Sequence, residues 1–298
     1  MSVSKRLTDV FASAKRIPID DTSKIVIMSD CHRGDGSWSD NFARNQNIYF
    51  QALRVYYEQG YSYIELGDGD ELWENSQYAN IVDLHSHVFW LLKKFYQEKR
   101  VHFIFGNHDR IKQSETFRKQ QMERYFCEQE QKYVSLFPNI EVHEALVLKY
   151  YDSEIFLVHG HQGDWLNDAH WRLTKFLVRY FWKPLELFGV NDPTQEVKNY
   201  KKRNELERKI ANWAEENNQM IIAGHTHRPV FPEIGQGLYF NDGSCVHPRC
   251  ITAIEIVDGE ISLVKWCILT RGDGSLYIDK EVLAAKKKLT DFLGDREV

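Results

Sequence analysis

Five short apolar runs, each ending in a polar cluster, constrain this chain more than any other feature. Lys24-Ile-Val-Ile-Met-Ser29 leads into Asp30, and Tyr61-Ser-Tyr-Ile-Glu-Leu66 leads into Gly67-Asp68. Val101-His-Phe-Ile-Phe105 leads into Gly106-Asn-His-Asp109, Ile155-Phe-Leu-Val158 into His159, and Met220-Ile-Ile-Ala223 into Gly224-His225. Runs of this length, rich in β-branched and aromatic residues, read as buried strands. Helix-length segments with apolar spacing of three and four separate the first three. Phe50, Leu53, Val55 and Tyr56 mark one; Ile81, Leu84, Val88, Leu91, Leu92 and Phe95 mark the next. Strand–helix–strand alternation of this kind predicts a layered α/β fold.

Further along, the pattern shifts to hairpins. Residues 142–150 and 154–158 read as one, turning at Tyr151-Asp152-Ser153; residues 251–257 and 261–268 flank the turn Asp258-Gly259. The sheet is therefore mixed, or two sheets pack face to face. Residues 165–218 hold no strand-like run and read as a helical cap inserted into a single domain that spans 1–298. An aromatic stretch within the cap (Trp171, Phe176, Tyr180, Phe181, Trp182, Phe188) offers core packing, a homodimer interface or an apolar groove for a lipid-like substrate. The segment from Lys201, with Leu206, Ile210 and Trp213 on one side, reads as an amphipathic helix returning to the sheet. The tail beyond Lys280 reads as a weak helix.

Composition excludes some classes. The 298 residues, 43% hydrophobic, suffice for one large core. A formal charge of -5 gives no general case for nucleic-acid binding. Five scattered cysteines fit a reduced, cytoplasmic setting better than a disulfide framework. Neither a secretory signal nor a membrane span is legible.

The polar clusters carry the chemistry, at strand ends where open α/β sheets place their ligands. If Asp30-Cys31-His32 is extended, Asp30 and His32 point together and Cys31 points away. His225-Thr226-His227 repeats that spacing. Asp68 follows a glycine that permits a sharp turn; Asn107 and His159 add a neutral oxygen and a nitrogen. Together, Asp30-x-His32, Gly67-Asp68, Gly106-Asn107-His108-Asp109, Val158-His159-Gly160-His161 and Gly224-His225-x-His227 resemble the calcineurin-like metallophosphoesterase family over roughly residues 24–270.

The resemblance implies a four-layer α/β/β/α sandwich with a dinuclear metal centre. One metal takes Asp30, His32, Asp68 and His227; the other takes Asp68, Asn107, His159 and His225. His108 is implied as the catalytic residue beside the substrate, and Asp109 as the group that orients its ring. The implied reaction is hydrolysis of a phosphomonoester or phosphodiester by in-line attack of a hydroxide held between the metals. The alternatives are a pyrophosphate hydrolase acting on a nucleotide- or lipid-linked substrate, a nuclease, or a non-catalytic scaffold of the same fold. Nitrogen and oxygen ligands without thiolate suit Mn, Fe, Zn or Co. Two divalent ions, two carboxylates and a hydroxide leave a local charge of about +1, which attracts phosphate even in an acidic protein.

Arg33, Arg110 and His161 adjoin these clusters and are candidate substrate contacts. Asp70 and Glu71 read as groups that tune the ligands, and His85, His87 and His102 as structural. The cap is also similar to that of the UDP-diacylglucosamine hydrolase branch. The chain departs from that branch in carrying His108 where an arginine is expected.

Overall fold

The computed structural model describes residues 2–37, 40–127, 130–162 and 200–293, the backbone alone being described at 200–202. Two sheets form its centre. Edge to edge, the seven-stranded sheet runs Leu276–Lys288, Glu260–Thr270, Cys250–Val257, Lys24–Met28, Ser62–Leu66, Val101–Ile104 and Val142–His143. The last four strands are mutually parallel, and the first three are joined antiparallel. The five-stranded sheet runs Lys15–Ile19, Ala145–Tyr150, Ser153–Val158, Met220–Ala223 and Tyr239–Asn241.

The stacking of layers follows from side-chain alternation. Along Lys24–Met28, Ile25 and Ile27 enter the core between the two sheets. Val26 and Met28 enter a second core, beneath the helices Gln46–Glu58 and Ser86–Gln97. Along Ser153–Val158, Ile155 and Leu157 face the inter-sheet core, whereas Phe156 and Val158 face a third. That third core is closed by the helices Val3–Ser13 and Tyr200–Glu216 through Leu7, Val10, Leu206, Ile210 and Trp213. A strand with a core on both faces must be apolar at every position, which is why these runs lack polar alternation. Each fully buried Ile, Leu or Phe contributes roughly 1.5–3 kcal/mol. The result is the four-layer α/β/β/α sandwich.

Several local expectations change. Residues 142–150 are not one strand: Val142–His143 pairs in the seven-stranded sheet, and Ala145–Tyr150 belongs to the other. The tail is a strand, Leu276–Lys288, paired along Glu260–Thr270, and helix begins only at Leu289. Here cross-strand pairing overrides the helical preference of Glu281, Leu283, Ala284 and Ala285. Arg271-Gly-Asp273 lies at the turn of that hairpin, where Gly274 N–H bonds Arg271 O at 2.9 Å. The helix Val3–Ser13 and the strand Lys15–Ile19 are additions that apolar spacing alone did not expose. The aromatic stretch of the cap lies outside the described residues. No helix among the described residues is long and apolar enough to cross a membrane.

Candidate metal centre

The parallel strands Lys24–Met28, Ser62–Leu66 and Val101–Ile104 deliver Asp30, Asp68 and Asn107 to one rim. Ser153–Val158 and Met220–Ala223, parallel in the other sheet, deliver His159 and His225 to the same rim. The chain then turns in an unusual way. Asp30, His32, Asp68, His225 and His227 all adopt left-handed backbone, at φ 52°, 49°, 50°, 67° and 55°. Such a conformation costs a non-glycine residue roughly 1–2 kcal/mol, and strain of this kind collects at functional sites. Neighbouring loops hold it in place: Asp30 N–H bonds Gly67 O at 3.0 Å, and His32 N–H bonds Asp68 O at 2.9 Å. The extended reading of Asp30-Cys31-His32 is thus corrected. Cys31 does enter the helix-side core, but left-handed turns rather than strand alternation separate it from its neighbours.

Side-chain donors converge in two groups. Ligand atoms of Asp30, His32 and His227 lie within 4.8 Å of one another, as do those of Asp68, His159 and His225. Asp68 lies between the groups, its Oδ2 3.2 Å from His159 Nε2 and 3.8 Å from His32 Nε2. His227 Nε2 is 3.1 Å from Asp30 Oδ1.

Four of the donors are anchored through their other polar atom. His159 Nδ1 lies 2.9 Å from Leu66 O, which can only accept, so the proton sits on Nδ1 and the Nε2 lone pair is left for a metal. His32 Nδ1 faces Glu71 Oε2 at 3.0 Å. Asp30 Oδ2 accepts from His225 N–H at 2.8 Å and from the Ser29 hydroxyl, whose oxygen is 2.8 Å from Asp242 Oδ1. Asp68 Oδ1 accepts from His108 N–H at 2.8 Å. The remaining atoms Asp30 Oδ1, His32 Nε2, Asn107 Oδ1 and His159 Nε2 are buried without a hydrogen bond. A buried polar group left so costs free energy, and these oxygens and nitrogens are the donor set that divalent ions take. The residues fit a metal.

Two glycines are required by the ligands themselves. A Cβ at Gly67, where φ is +96°, would stand 2.4 Å from His159 Nδ1, and one at Gly106 would stand 2.1 Å from Asp68 Oδ1. Burial alone would raise the Asp30 carboxyl, yet the His227 and His159 rings hold it well below the ordinary carboxylate range. Asp68 is likewise held down against burial by His159 and His108.

The calcineurin-like phosphoesterase profile matches residues 23–229, a stretch that carries every one of these donors. The chain belongs to the calcineurin-like phosphoesterase family. Comparison with curated protein sequences returns no significant match. Similar solved structures include vacuolar protein sorting 29 from Cryptosporidium parvum, 12% identical, covering 88% of this chain and 98% of that one at a TM-score of 0.37. A single mutant of the same protein from Entamoeba histolytica is 16% identical, covering 87% and 99% at a TM-score of 0.40. A conserved uncharacterized protein, a predicted phosphoesterase from Streptococcus pneumoniae, is 16% identical, covering 87% and 97% at a TM-score of 0.34. Overlaps this loose carry no role across to this chain.

Around the donors, the remaining candidates divide. His108 borders the site, stacked on Trp73 with ring centroids 4.1 Å apart, and its Nδ1 is 2.7 Å from Glu71 Oε2. Asp109 does not orient that ring. Its oxygens accept from Gly106 N–H at 2.7 Å and Gly69 N–H at 3.1 Å, and pair with Lys112 at 2.7 Å. Glu71 occupies the place expected of Asp109. Arg33 is likewise no substrate contact. It is wholly buried, bound to Asp70 at 2.7 Å and Glu65 at 2.8 Å. His161 is buried beside the rings of His159 and His225, and burial, followed by His159, His225 and Arg110, drives its pKa well below the usual imidazole value. His85 is buried with its Nε2 3.4 Å from Asp40, and it serves packing. The sequence reading misses Trp73 and Asp242: Trp73 stands away from any strand end, and Asp242 follows Tyr239–Asn241, a strand of three residues, too short to show a period.

Proposed function

We propose that this phosphoesterase hydrolyses a phosphomonoester or phosphodiester at a dinuclear centre. One metal would be held by Asp30, His32, Asp68 and His227, the other by Asp68, Asn107, His159 and His225. The supporting observation is Asp68 Oδ2, which lies within 4 Å of His32 Nε2 on one side and His159 Nε2 on the other. Bound there, Mn, Fe, Zn or Co supplies Lewis acidity toward phosphoryl oxygens and an activated water. The chain's own residues do the rest. Glu71 fixes the Nδ1 side of His108 and Trp73 fixes the plane of its ring, leaving Nε2 to donate a proton to the leaving oxygen. His161, buried beside His159 and His225, and Arg110 are the candidates to meet the phosphoryl group. A phosphate linked to a lipid or a nucleotide would be selected by the part of the cap that precedes Tyr200, through which a homodimer would also form, since the helix Tyr200–Glu216 is committed to the third core. The five free cysteines suit a cytoplasmic setting.

The test is metal-reconstituted protein assayed on p-nitrophenyl phosphate and its bis ester. His108→Ala should keep its metal and lose roughly 10²–10⁴-fold in rate, the usual contribution of a positioned general acid. Asp68→Asn should lose metal from both groups. Absence of turnover with Mn or Co, in protein shown to hold two ions, overturns the proposal.

A further inference from the structure

Behind the metal donors lies a second buried polar cluster that the proposed chemistry does not use. Carboxylate oxygens of Glu65, Asp70 and Asp109 lie within 4.8 Å of one another, the same convergence that marks the two donor groups. All three carboxylates are fully buried. This meeting point already has a cation. Lys112 Nζ lies 2.6 Å from Asp70, 2.7 Å from Asp109 and 3.5 Å from Glu65, with Lys112 itself 1% exposed. Arg33 closes the other side, bound to Asp70 Oδ1 and Glu65. Three carboxylates against two cations leave the cluster at -1, and it falls to -2 if Lys112 loses its charge.

The cluster touches the donors through the backbone. Asp109 accepts N–H bonds from Gly69, next to Asp68, and from Gly106, next to Asn107. Arg33, next to His32, donates its own N–H to Gly69 O at 3.1 Å, and Glu71 N–H bonds Arg33 O at 3.0 Å. Three donor-bearing loops are thus tied to one set of buried charges, and the ammonium stands at its centre. Buried carboxylates facing one another do not keep their places without a counter-charge.

We infer that Lys112 is the resident cation of this carboxylate cluster and a positioning residue for the metal centre. This rests on the phosphoesterase reading for its purpose, though not for its test. Asp70 and Asp109 need the ammonium to hold their rotamers. Through Asp109, that geometry sets the backbone at Gly69 and Gly106, and so the placement of Asp68, Asn107 and His108.

The test removes the ammonium and then returns it. Lys112→Ala should lower Mn²⁺ affinity, measured by isothermal titration, roughly 10–100-fold, the range for lost partners of metal ligands. It should lower kcat similarly while KM changes little. Propylammonium, the fragment deleted, should restore much of the Mn²⁺ affinity, and propanol should not. Equal rescue by propanol overturns the inference, because volume would then be the requirement. A folded Lys112→Ala with wild-type Mn²⁺ affinity also overturns it. Should Lys112→Ala not fold, Lys112→Met/Asp70→Asn returns the cluster to -1. That double variant should bind Mn²⁺ more tightly than Lys112→Met alone, and equal or weaker binding counts against the role of charge. Wild-type protein that binds two Mn²⁺ without turnover sinks the phosphoesterase reading and leaves this one standing.

Discussion

Replacing Gly67 by alanine isolates the steric logic of the metal centre. The new Cβ would stand 2.4 Å from His159 Nδ1 and 2.6 Å from its Cγ, whereas ordinary contact begins at 3.4 Å. The imidazole must therefore retreat by about 1 Å, stretching its 2.9 Å bond to Leu66 O and drawing Nε2 away from Asp68. Two costs add. Left-handed backbone at a non-glycine residue costs roughly 1–2 kcal/mol, and overpacking a close-fitted site costs roughly 1–3 kcal/mol more. Gly60→Ala supplies the control, because Gly60 has a similar φ of +80° and nothing within 4 Å of its Cβ position. The gain from a less flexible unfolded chain is common to both and cancels. Urea unfolding of the metal-free proteins should thus separate the two variants by roughly 1–3 kcal/mol. Mn²⁺ titration should show an affinity loss of at least about 10-fold in Gly67→Ala and none in Gly60→Ala. Wild-type Mn²⁺ affinity in Gly67→Ala would refute the argument, and so would an equal loss in both.

Other perturbations follow from the same structure. Arg33→Met leaves Glu65 and Asp70 without their guanidinium, and breaking a buried pair should cost about 3–5 kcal/mol in urea unfolding; a loss under about 1 kcal/mol would mean that Arg33 is dispensable to the fold. Burial, reinforced by His143 and Lys15, lowers the His102 imidazole from 6.5 to about 4. The unfolded chain therefore binds a proton that the folded protein resists: the stability contribution is complete above pH 6.5 and is lost as the pH falls toward 4. The effect is on the order of 3 kcal/mol, and His102→Gln should flatten that part of the pH–stability curve. Chelating the metals should lower the unfolding midpoint, since ions at about 100 times their Kd stabilise the folded state by about 2.7 kcal/mol; an unchanged midpoint on stripping would argue that the donors hold no ion.

Much of the architecture was legible in the chain because its signals are local. Residues 24–28, 62–66, 101–104, 155–158 and 220–223 are mostly apolar, broken only by Lys24, Ser62, Glu65 and His102, and each forms a strand of the buried sheets. Asp258-Gly259 marks its hairpin because the turn needs left-handed backbone at both positions, φ 55° and 70°. The strand Leu276–Lys288 was not legible. Its composition favours helix, and only the partner Glu260–Thr270 makes it extended. Lys15–Ile19 fails for a related reason, since burial patterns along a short edge strand show no clean period.

The site divides along the same line. Which residues can bind metal is a property of their own chemistry, so Asp30, His32, Asp68, Asn107, His159, His225 and His227 can be named from type, order and position at strand ends. How each is aimed depends on partners distant in sequence. Asp109 and Arg33 stand beside donors in the chain, yet each turns its charge inward to Lys112, Asp70 and Glu65. Glu71 reaches His32 and His108 from 39 and 37 positions away, and Trp73 stacks on His108 across a different loop. Residue type and strand-end position nominate the donors. Direction was decided by packing, because a buried charge must face a counter-charge, and only the folded chain brings the two together.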